Sequence, residues 1–167
     1  MAVDKIVLLK DVEKQISSLR NKAIGLLARR EQSRDELQRK LHLKSVEKGW
    51  NVDLEFLLDE LERQGLQSDL RFSEVLIRSK ANAGFGPSRL YQWGVQYGLD
   101  RNLVYHQMLE QKFDWRANAL QQKRKHCGWA VAISLQQRAK QARYLYQRGF
   151  SQEHIYYALD AQLDERP

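Results

Sequence analysis

Apolar residues recur every three or four positions along almost the whole chain. That spacing lays a hydrophobic stripe along a helix, so it predicts successive amphipathic helices. The alternating segment WAVAI, Trp129 to Ile133, fits a strand or a helix, and its neighbours favour a helix. The stripes are Ile6, Leu9, Val12, Ile16, Leu19, Ala23, Leu26 and Leu27; Leu37 and Leu41; Leu54, Leu57, Leu58 and Leu61; Phe72, Val75, Leu76, Ser79 and Ala83; Leu90, Trp93, Gly94 and Tyr97; Leu103, Val104 and Met108.

Ser33 and Gly65 carry the signals of a helix start and a helix end. The Ser33 side chain can accept a hydrogen bond from the next turn, and Glu36 stands three residues later, as in a capping box. Gly65 follows the third stripe, where a left-handed residue closes a helix. Of the stripe residues, we assign Phe72, Leu76, Leu90 and Leu103 to the core.

The glycine-rich stretch AGFGPSRL, Ala83 to Leu90, raises the question of a phosphate-binding loop. It lacks the third glycine of a dinucleotide fingerprint and the lysine of a P-loop, and a helical pattern precedes it instead of a strand. Gly84 fits a helix C-cap and Pro87 fits the first turn of the next helix. We therefore interpret the stretch as a hinge between two helices, whose free amides at the second helix start could still meet a phosphate.

A three-residue marker recurs about every 50 residues: Gly49-Trp50-Asn51, Gly98-Leu99-Asp100 and Gly149-Phe150-Ser151. Each reads as a helix-to-helix corner, in which glycine ends one helix, the apolar residue fills the corner and the last residue caps the next helix. The pattern predicts an all-α fold, an elongated tandem array of three three-helix units. The predicted ranges are an N-terminal helical extension 1–16, then units 17–66, 67–112 and 113–167.

Positive charge is concentrated in one region. Residues 115–152 contain eight Lys or Arg residues and no Asp or Glu, whereas the other 20 basic residues face all 21 acidic ones. A one-sign field of this kind attracts an anionic partner, either nucleic acid or an acidic protein surface. A merely solvated helix face remains the alternative, because charge runs are common on surfaces.

No catalytic or metal-binding constellation is visible in the sequence, so we expect a binding protein without enzyme activity, metal or cofactor. The four histidines, His42, His106, His126 and His154, are far apart, and none belongs to a zinc-spaced cluster. The single cysteine, Cys127, has no second thiol and reads as a small, partly buried hydrophobe. Only four consecutive apolar residues occur near the N-terminus, which predicts a cytoplasmic protein without a membrane span.

Two segments resemble signatures of the RecX family, the bacterial regulators of the RecA recombinase. LLARREQSRDELQRKL, Leu26 to Leu41, is similar to the first, and DLRFSEVLIRSKANAGFGPSRL, Asp69 to Leu90, to the second and more specific one. DWRANALQQKRK, Asp114 to Lys125, matches a third segment more loosely, and the likeness spans about residues 17 to 160. Lys80 and Ala83 depart from the usual Arg and Lys, and Gln92-Trp93-Gly94 replaces Gln-Glu-Leu.

The resemblance implies a monomeric array of three-helix units that lies in the groove of a RecA filament on single-stranded DNA. Such proteins block filament growth or promote disassembly, and they lower ATP hydrolysis and strand exchange; the implied setting is homologous recombination, DNA repair and the SOS response. Direct binding to single- or double-stranded DNA is expected to be weak. The alternative hypothesis is a basic helical module that binds nucleic acid without a recombinase.

The candidate contact residues are charged or aromatic positions that the apolar stripes leave outside. One group flanks the hinge and the other forms the basic region. Tyr144, Tyr146, Tyr156 and Tyr157 interleave with the basic region and either stack on bases or pack. The candidates are Arg78, Lys80, Arg89, Tyr91, Lys123, Arg124, Lys125, Arg138, Arg143 and Arg148.

Overall fold

The computed structural model describes the backbone of residues 2–161 and the side chains of residues 10–161. Nine helices and no strand occur in that part of the chain, which confirms the all-α prediction. The side chains of Ile6 and Leu9 and the last residues of the predicted range 113–167 lie outside the described residues. The helices are α1 (Ala2–Leu27), α2 (Arg34–Lys48), α3 (Leu54–Arg63), α4 (Asp69–Asn82), α5 (Pro87–Gln96), α6 (Arg101–Glu110), α7 (Trp115–Cys127), α8 (Leu135–Gln147) and α9 (Gln152–Asp160).

The chain divides into two compact units, residues 1–72 with 97–99 and residues 73–96 with 100–167. The first unit has a leucine-rich core from α1, α2 and α3, and the second has a core from α7, α8 and α9. Within the second unit α5 also crosses α6 closely, because a Cβ on Gly94 would lie 2.5 Å from a Val104 methyl group. The predicted range boundaries inside the chain stay a prediction.

Ser33 begins α2 as predicted, but Glu36 does not complete a capping box. The Ser33 hydroxyl accepts a hydrogen bond from the Glu36 amide at 3.1 Å and donates one to the Tyr97 carbonyl at 2.7 Å. The Glu36 carboxylate instead forms ion pairs with Arg30 and Lys40. Burial opposes its ionisation, and the hydrogen bonds from Arg30 and Lys40 outweigh burial, so the pKa of Glu36 falls below its ordinary value.

The three recurrent corners form as predicted at their glycines. Gly49, Gly98 and Gly149 adopt φ values of 65°, 78° and 90°, the left-handed region in which glycine avoids the Cβ clash of other residues. The apolar corner residues Leu99 and Phe150 are buried.

The predicted caps are correct at two of the three corners. Asp100 and Ser151 accept hydrogen bonds from the first turns of α6 and α9. Asn51 is not a cap, because the chain runs on for two more residues and Asp53 accepts from the amides of Glu55 and Phe56. Asp53 is therefore the N-cap of α3.

Three further expectations were wrong. Residues 128–134 form a loop between α7 and α8, so the helical interpretation of WAVAI fails; Gly128 ends α7 and Ser134 caps α8. On α4 the buried face contains Leu76, Ile77 and Ala81, whereas Val75 is 52% exposed. Leu103 is only half-buried.

The predicted hinge joins α4 to α5 and also contacts the third corner directly. Gly84 has φ 83° and Pro87 is the first residue of α5. The amide of Gly86 donates to the Arg148 carbonyl at 2.8 Å, and the amide of Ser88 donates to the Gly149 carbonyl at 3.1 Å. These amides are already hydrogen-bonded inside the protein, so they do not form an open phosphate cradle.

The two backbones meet so closely that neither glycine has room for a side chain. A Cβ on Gly86 would lie 2.5 Å from the carbonyl carbon of Gly149, and a Cβ on Gly149 would lie 2.5 Å from the Arg89 amide nitrogen. We call this contact the glycine junction. It fixes the start of α5 against the corner between α8 and α9.

Gly86→Ala tests the glycine junction. Since Gly86 has no positive φ, the added methyl group acts only through its clash with Gly149, and we expect the free energy of unfolding to fall by about 2–3 kcal/mol. Gly25→Ala is the control, because it adds the same methyl group in open space on α1. The free energy of unfolding should rise by about 0.5–1 kcal/mol, since alanine favours a helix more than glycine does. Urea denaturation followed by circular dichroism measures both, and an unchanged midpoint for Gly86→Ala would contradict the junction.

Candidate partner-binding surface

The second compact unit contains all ten candidate residues, but they have different structural roles. Lys123 is the clearest departure, because its side chain is 0% exposed although the sequence pattern left it outside. Its Nζ donates to the Ala130 carbonyl at 2.9 Å, which holds the loop 128–134 onto α7. Burial lowers the pKa of Lys123 below its ordinary value. The expected outward position is wrong, and we leave Lys123 out of the surface.

Arg148 also acts inside the fold. Its Nη1 donates to the carbonyls of Ala83 and Gly84 at 3.1 and 3.4 Å, next to the C-terminal end of α4, where a positive charge favours the helix dipole. Its guanidinium lies 4.8 Å from the Phe85 ring centroid and 5.2 Å from the Tyr144 ring centroid. Arg148 thereby ties the hinge to α8.

Two candidates are bound to neighbouring carboxylates. Arg78 forms an ion pair with Glu74, one turn earlier on α4. Arg138 forms an ion pair with Asp160 at 2.7 Å, which joins α8 to α9. Exposed pairs of this kind are worth about 0–1 kcal/mol, so each arginine can still exchange its partner for an external anion.

Lys80 and Arg89 meet over Trp93. The Lys80 Nζ lies 4.7 Å from the Trp93 ring centroid and the Arg89 Cζ lies 5.4 Å from it. The Phe85 ring packs edge-on against Trp93 at 4.7 Å. Indole, the aromatic group that best attracts cations, thus holds two positive charges at the hinge. Tyr91, on the same helix, is half-buried.

The remaining candidates lie on α7 and α8. The Arg124 guanidinium stands 4.1 Å from the ring of Trp129, in the following loop. Lys125 and Arg143 are exposed, and within residues 10–161 neither side chain forms a hydrogen bond, ion pair or ring contact. These two charges are the candidates most accessible to a partner.

The structure adds a groove between α7, the loop 128–134 and α8, which we call the α7–α8 groove. Its volume is about 630 Å³, and its lining includes His126, Val131, Lys140 and Tyr144. His126 stacks on the Tyr144 ring at 3.8 Å. No local pattern indicated the groove, because it depends on WAVAI being a loop. Trp93 and Trp129 were likewise missed, since tryptophan at helical spacing reads as core.

The four tyrosines of the basic region have different surroundings. Tyr146, Tyr156 and Tyr157 are exposed, whereas Tyr144 is stacked inside the groove. Base stacking stays a prediction.

Among the residues that the structure describes, no three His, Cys, Asp or Glu side chains converge as metal ligands. No helix of that part of the chain has both the length and the apolar content to cross a bilayer.

Comparison with known proteins identifies the family. A family model described as the third three-helix domain of RecX matches residues 114–159. A relative named Regulatory protein RecX, from Pseudomonas entomophila (strain L48), is 37% identical over 138 residues, which cover 83% of this chain and 87% of the relative. The chain belongs to the RecX family. A RecX relative from Xanthomonas campestris pv. campestris (strain B100) is 34% identical over 144 residues, covering 86% of this chain and 87% of the relative.

Two solved structures show the same fold. The crystal structure of RecX from Lactobacillus salivarius matches with a TM-score of 0.75 and 19% identity, over 90% of this chain and 97% of that chain. A second, described as the crystal structure of regulatory protein RecX, matches with a TM-score of 0.71 and 17% identity, over 95% of this chain and 77% of that chain. The RecX resemblance of the sequence motifs is confirmed, and the name of these relatives is that of a regulator and not of an enzyme.

Lys123→Met tests the burial of Lys123 through the pH dependence of stability. The unfolded chain keeps the ammonium protonated up to its ordinary pKa of 10.5, while burial lowers the pKa in the folded protein. Folding therefore releases the proton between the two values, and stability rises with pH across that window. Methionine does not titrate, so the native protein should gain stability relative to the variant as the pH approaches 10.5.

Urea unfolding of both proteins at several pH values measures this difference. A difference in unfolding free energy that stays constant from neutral pH upward would show that Lys123 is solvated in the folded protein.

Proposed function

We propose that this protein binds the RecA recombinase filament on single-stranded DNA and inhibits filament growth, ATP hydrolysis and strand exchange. Membership of the RecX family supports the proposal, since the relatives are named regulatory proteins. The two segments that resemble signatures of the RecA regulators, Leu26 to Leu41 and Asp69 to Leu90, support it as well. The proposal places the protein in the cytoplasm, as a monomer that acts without chemistry of its own.

The observation that carries the proposal is the set of accessible positive charges on the second unit. Lys125 and Arg143 are exposed and without an internal partner, and Lys80 and Arg89 are held over Trp93 near the hinge. These charges attract an anionic partner at rates that depend on salt. A regulator changes a filament only if it binds one filament state more strongly than another.

A second candidate function is a nucleic-acid-binding module that needs no recombinase. The observation in its favour is the run from residue 115 to residue 152, which has eight basic residues and no acidic one. Direct binding through phosphates would weaken steeply with salt, by about 0.9 in log K per log unit of salt for each duplex phosphate contacted. We expect binding to bare DNA to be weak beside binding to the filament, because the basic surplus is confined to this run and the rest of the chain is nearly neutral, with 20 basic and 21 acidic residues.

The deciding experiment adds substoichiometric amounts of the protein to RecA that hydrolyses ATP on single-stranded DNA. The native protein should lower the rate, and Lys125→Glu with Arg143→Glu should raise the amount needed for half-inhibition by about tenfold, because reversed charges repel an anionic surface. Lys10→Glu with Arg29→Glu is the matched control. It makes the same change in net charge at exposed positions of the first unit and should inhibit like the native protein.

Two results would count against the proposal. Hydrolysis that is unaffected by the native protein would favour the second candidate function. Equal affinity for bare single-stranded DNA and for the filament would do the same, if log K for the bare strand falls with log salt by about 0.7 for each phosphate contacted.

A further inference from the structure

The loop 128–134 exposes apolar side chains that no core accounts for. Trp129 is 56% exposed, Val131 43% and Ile133 93%, and Leu135, the first residue of α8, is 87% exposed. Contiguous exposed apolar residues of this kind are typical of interaction sites. They border the α7–α8 groove, to whose lining Val131 and Ile133 belong.

This loop is held in place at both ends. The Lys123 ammonium donates to the Ala130 carbonyl, and the Ile133 amide donates to Gln137 Oε1 at 2.9 Å. The Ser134 hydroxyl accepts from the Gln137 amide at 3.2 Å. The apolar wall is therefore ordered before a partner arrives, which reduces the conformational entropy lost on binding.

The α8 side of the groove is positively charged. Lys140 and Arg143 are exposed there, and neither forms an ion pair with a carboxylate in the described part of the chain. Two acidic residues of α9 are engaged elsewhere, since Asp160 pairs with Arg138 and Glu153 pairs with Arg116. A segment with carboxylates beside an apolar side chain complements both walls.

The aliphatic lining favours a peptide over a nucleic acid. Val131 and Ile133 line the groove and suit an apolar side chain of a peptide, whereas single strands are held mainly by aromatic rings on which their bases stack. The Tyr144 ring is half-buried and is already contacted by His126 and by the Arg148 guanidinium, so it is less open to a base than an exposed ring.

We propose that the α7–α8 groove binds an acidic peptide segment of a partner protein, with an aliphatic or aromatic side chain against Val131 and Ile133 and carboxylates against Lys140 and Arg143. This inference deepens the proposed function and rests on it for the identity of the partner. The groove itself is tested without any recombinase. A second copy that docks groove to groove is a poor occupant, since like charges would face each other across that contact.

The test selects short random-sequence peptides displayed on phage against the purified full chain. Enriched peptides should carry Asp or Glu beside Leu, Ile or Phe. Their affinity, measured by fluorescence anisotropy, should fall by at least about tenfold for Lys140→Glu with Arg143→Glu. It should fall by about fivefold for Ile133→Ser, which removes apolar contact area.

Two controls match these variants. Lys10→Glu with Arg29→Glu repeats the change of net charge, and Leu109→Ser replaces an exposed aliphatic residue elsewhere in the same unit. Both should bind the peptides like the native protein. No enrichment, or equal affinity for native protein and groove variants, would overturn the proposal.

Cys127 gives an independent readout, because it lines the groove and is the single cysteine of the chain. Burial raises the pKa of its thiol, so alkylation by iodoacetamide is followed at mildly alkaline pH. The selected peptide should slow alkylation. An unchanged rate would place the peptide elsewhere, and protection by a single-stranded oligothymidine but not by the peptide would make the groove a nucleic-acid site; either result contradicts the inference.

The two proposals fail separately. Failure of peptide selection would remove the groove proposal and leave inhibition of RecA to its own assay. Absence of inhibition by the native protein would remove the proposed function, whereas peptide binding sensitive to Lys140, Arg143 and Ile133 would still support the groove.

Discussion

The arrangement of the second unit depends on the contact between the Gly86 and Gly149 backbones. Two helix corners distant in sequence approach so closely that the amides of Gly86 and Ser88 bond to the carbonyls of Arg148 and Gly149. Any side chain at either glycine would separate them. Because the corner is fixed there, Arg148 reaches the end of α4, and its guanidinium lies beside Phe85 and Tyr144.

The basic residues of this unit have different structural roles, which the sequence alone does not distinguish. Arg148 and Lys123 hold the fold together through backbone carbonyls, and Arg138 joins two helices through Asp160. Lys125 and Arg143 remain exposed. The run of eight basic residues is therefore not one uniform binding face. Its outward charge comes from a smaller set of side chains. A binding surface chosen by counting charges alone would include Lys123 and Arg148, whose substitution would destabilise the fold.

Local signals predicted most of the fold. Helical spacing, the cap at Ser33, the glycine corners and Pro87 each depend on residues within one or two turns, and the structure confirms them. The cap of α3 was misplaced because Asn51 and Asp53 are both good caps, and the choice depends on how far the chain runs before α3 packs.

The candidate site was predicted less well, because its geometry depends on contacts between residues far apart in sequence. Lys123 is buried because the loop 128–134 folds back over α7. The alternation of apolar residues in that loop does not indicate where the loop packs. The meeting of Lys80 and Arg89 over Trp93 joins two helices across the hinge. The family motifs located the hinge but not the side chains around it.

Amide hydrogen exchange at Gly86 and Ser88 tests the glycine junction most directly. Both amides should be protected from exchange to the level of the second unit's core, because both donate hydrogen bonds to the corner between α8 and α9. Exchange at the rate of an unprotected loop would contradict the glycine junction. The two amides would then be free to donate hydrogen bonds to a phosphate.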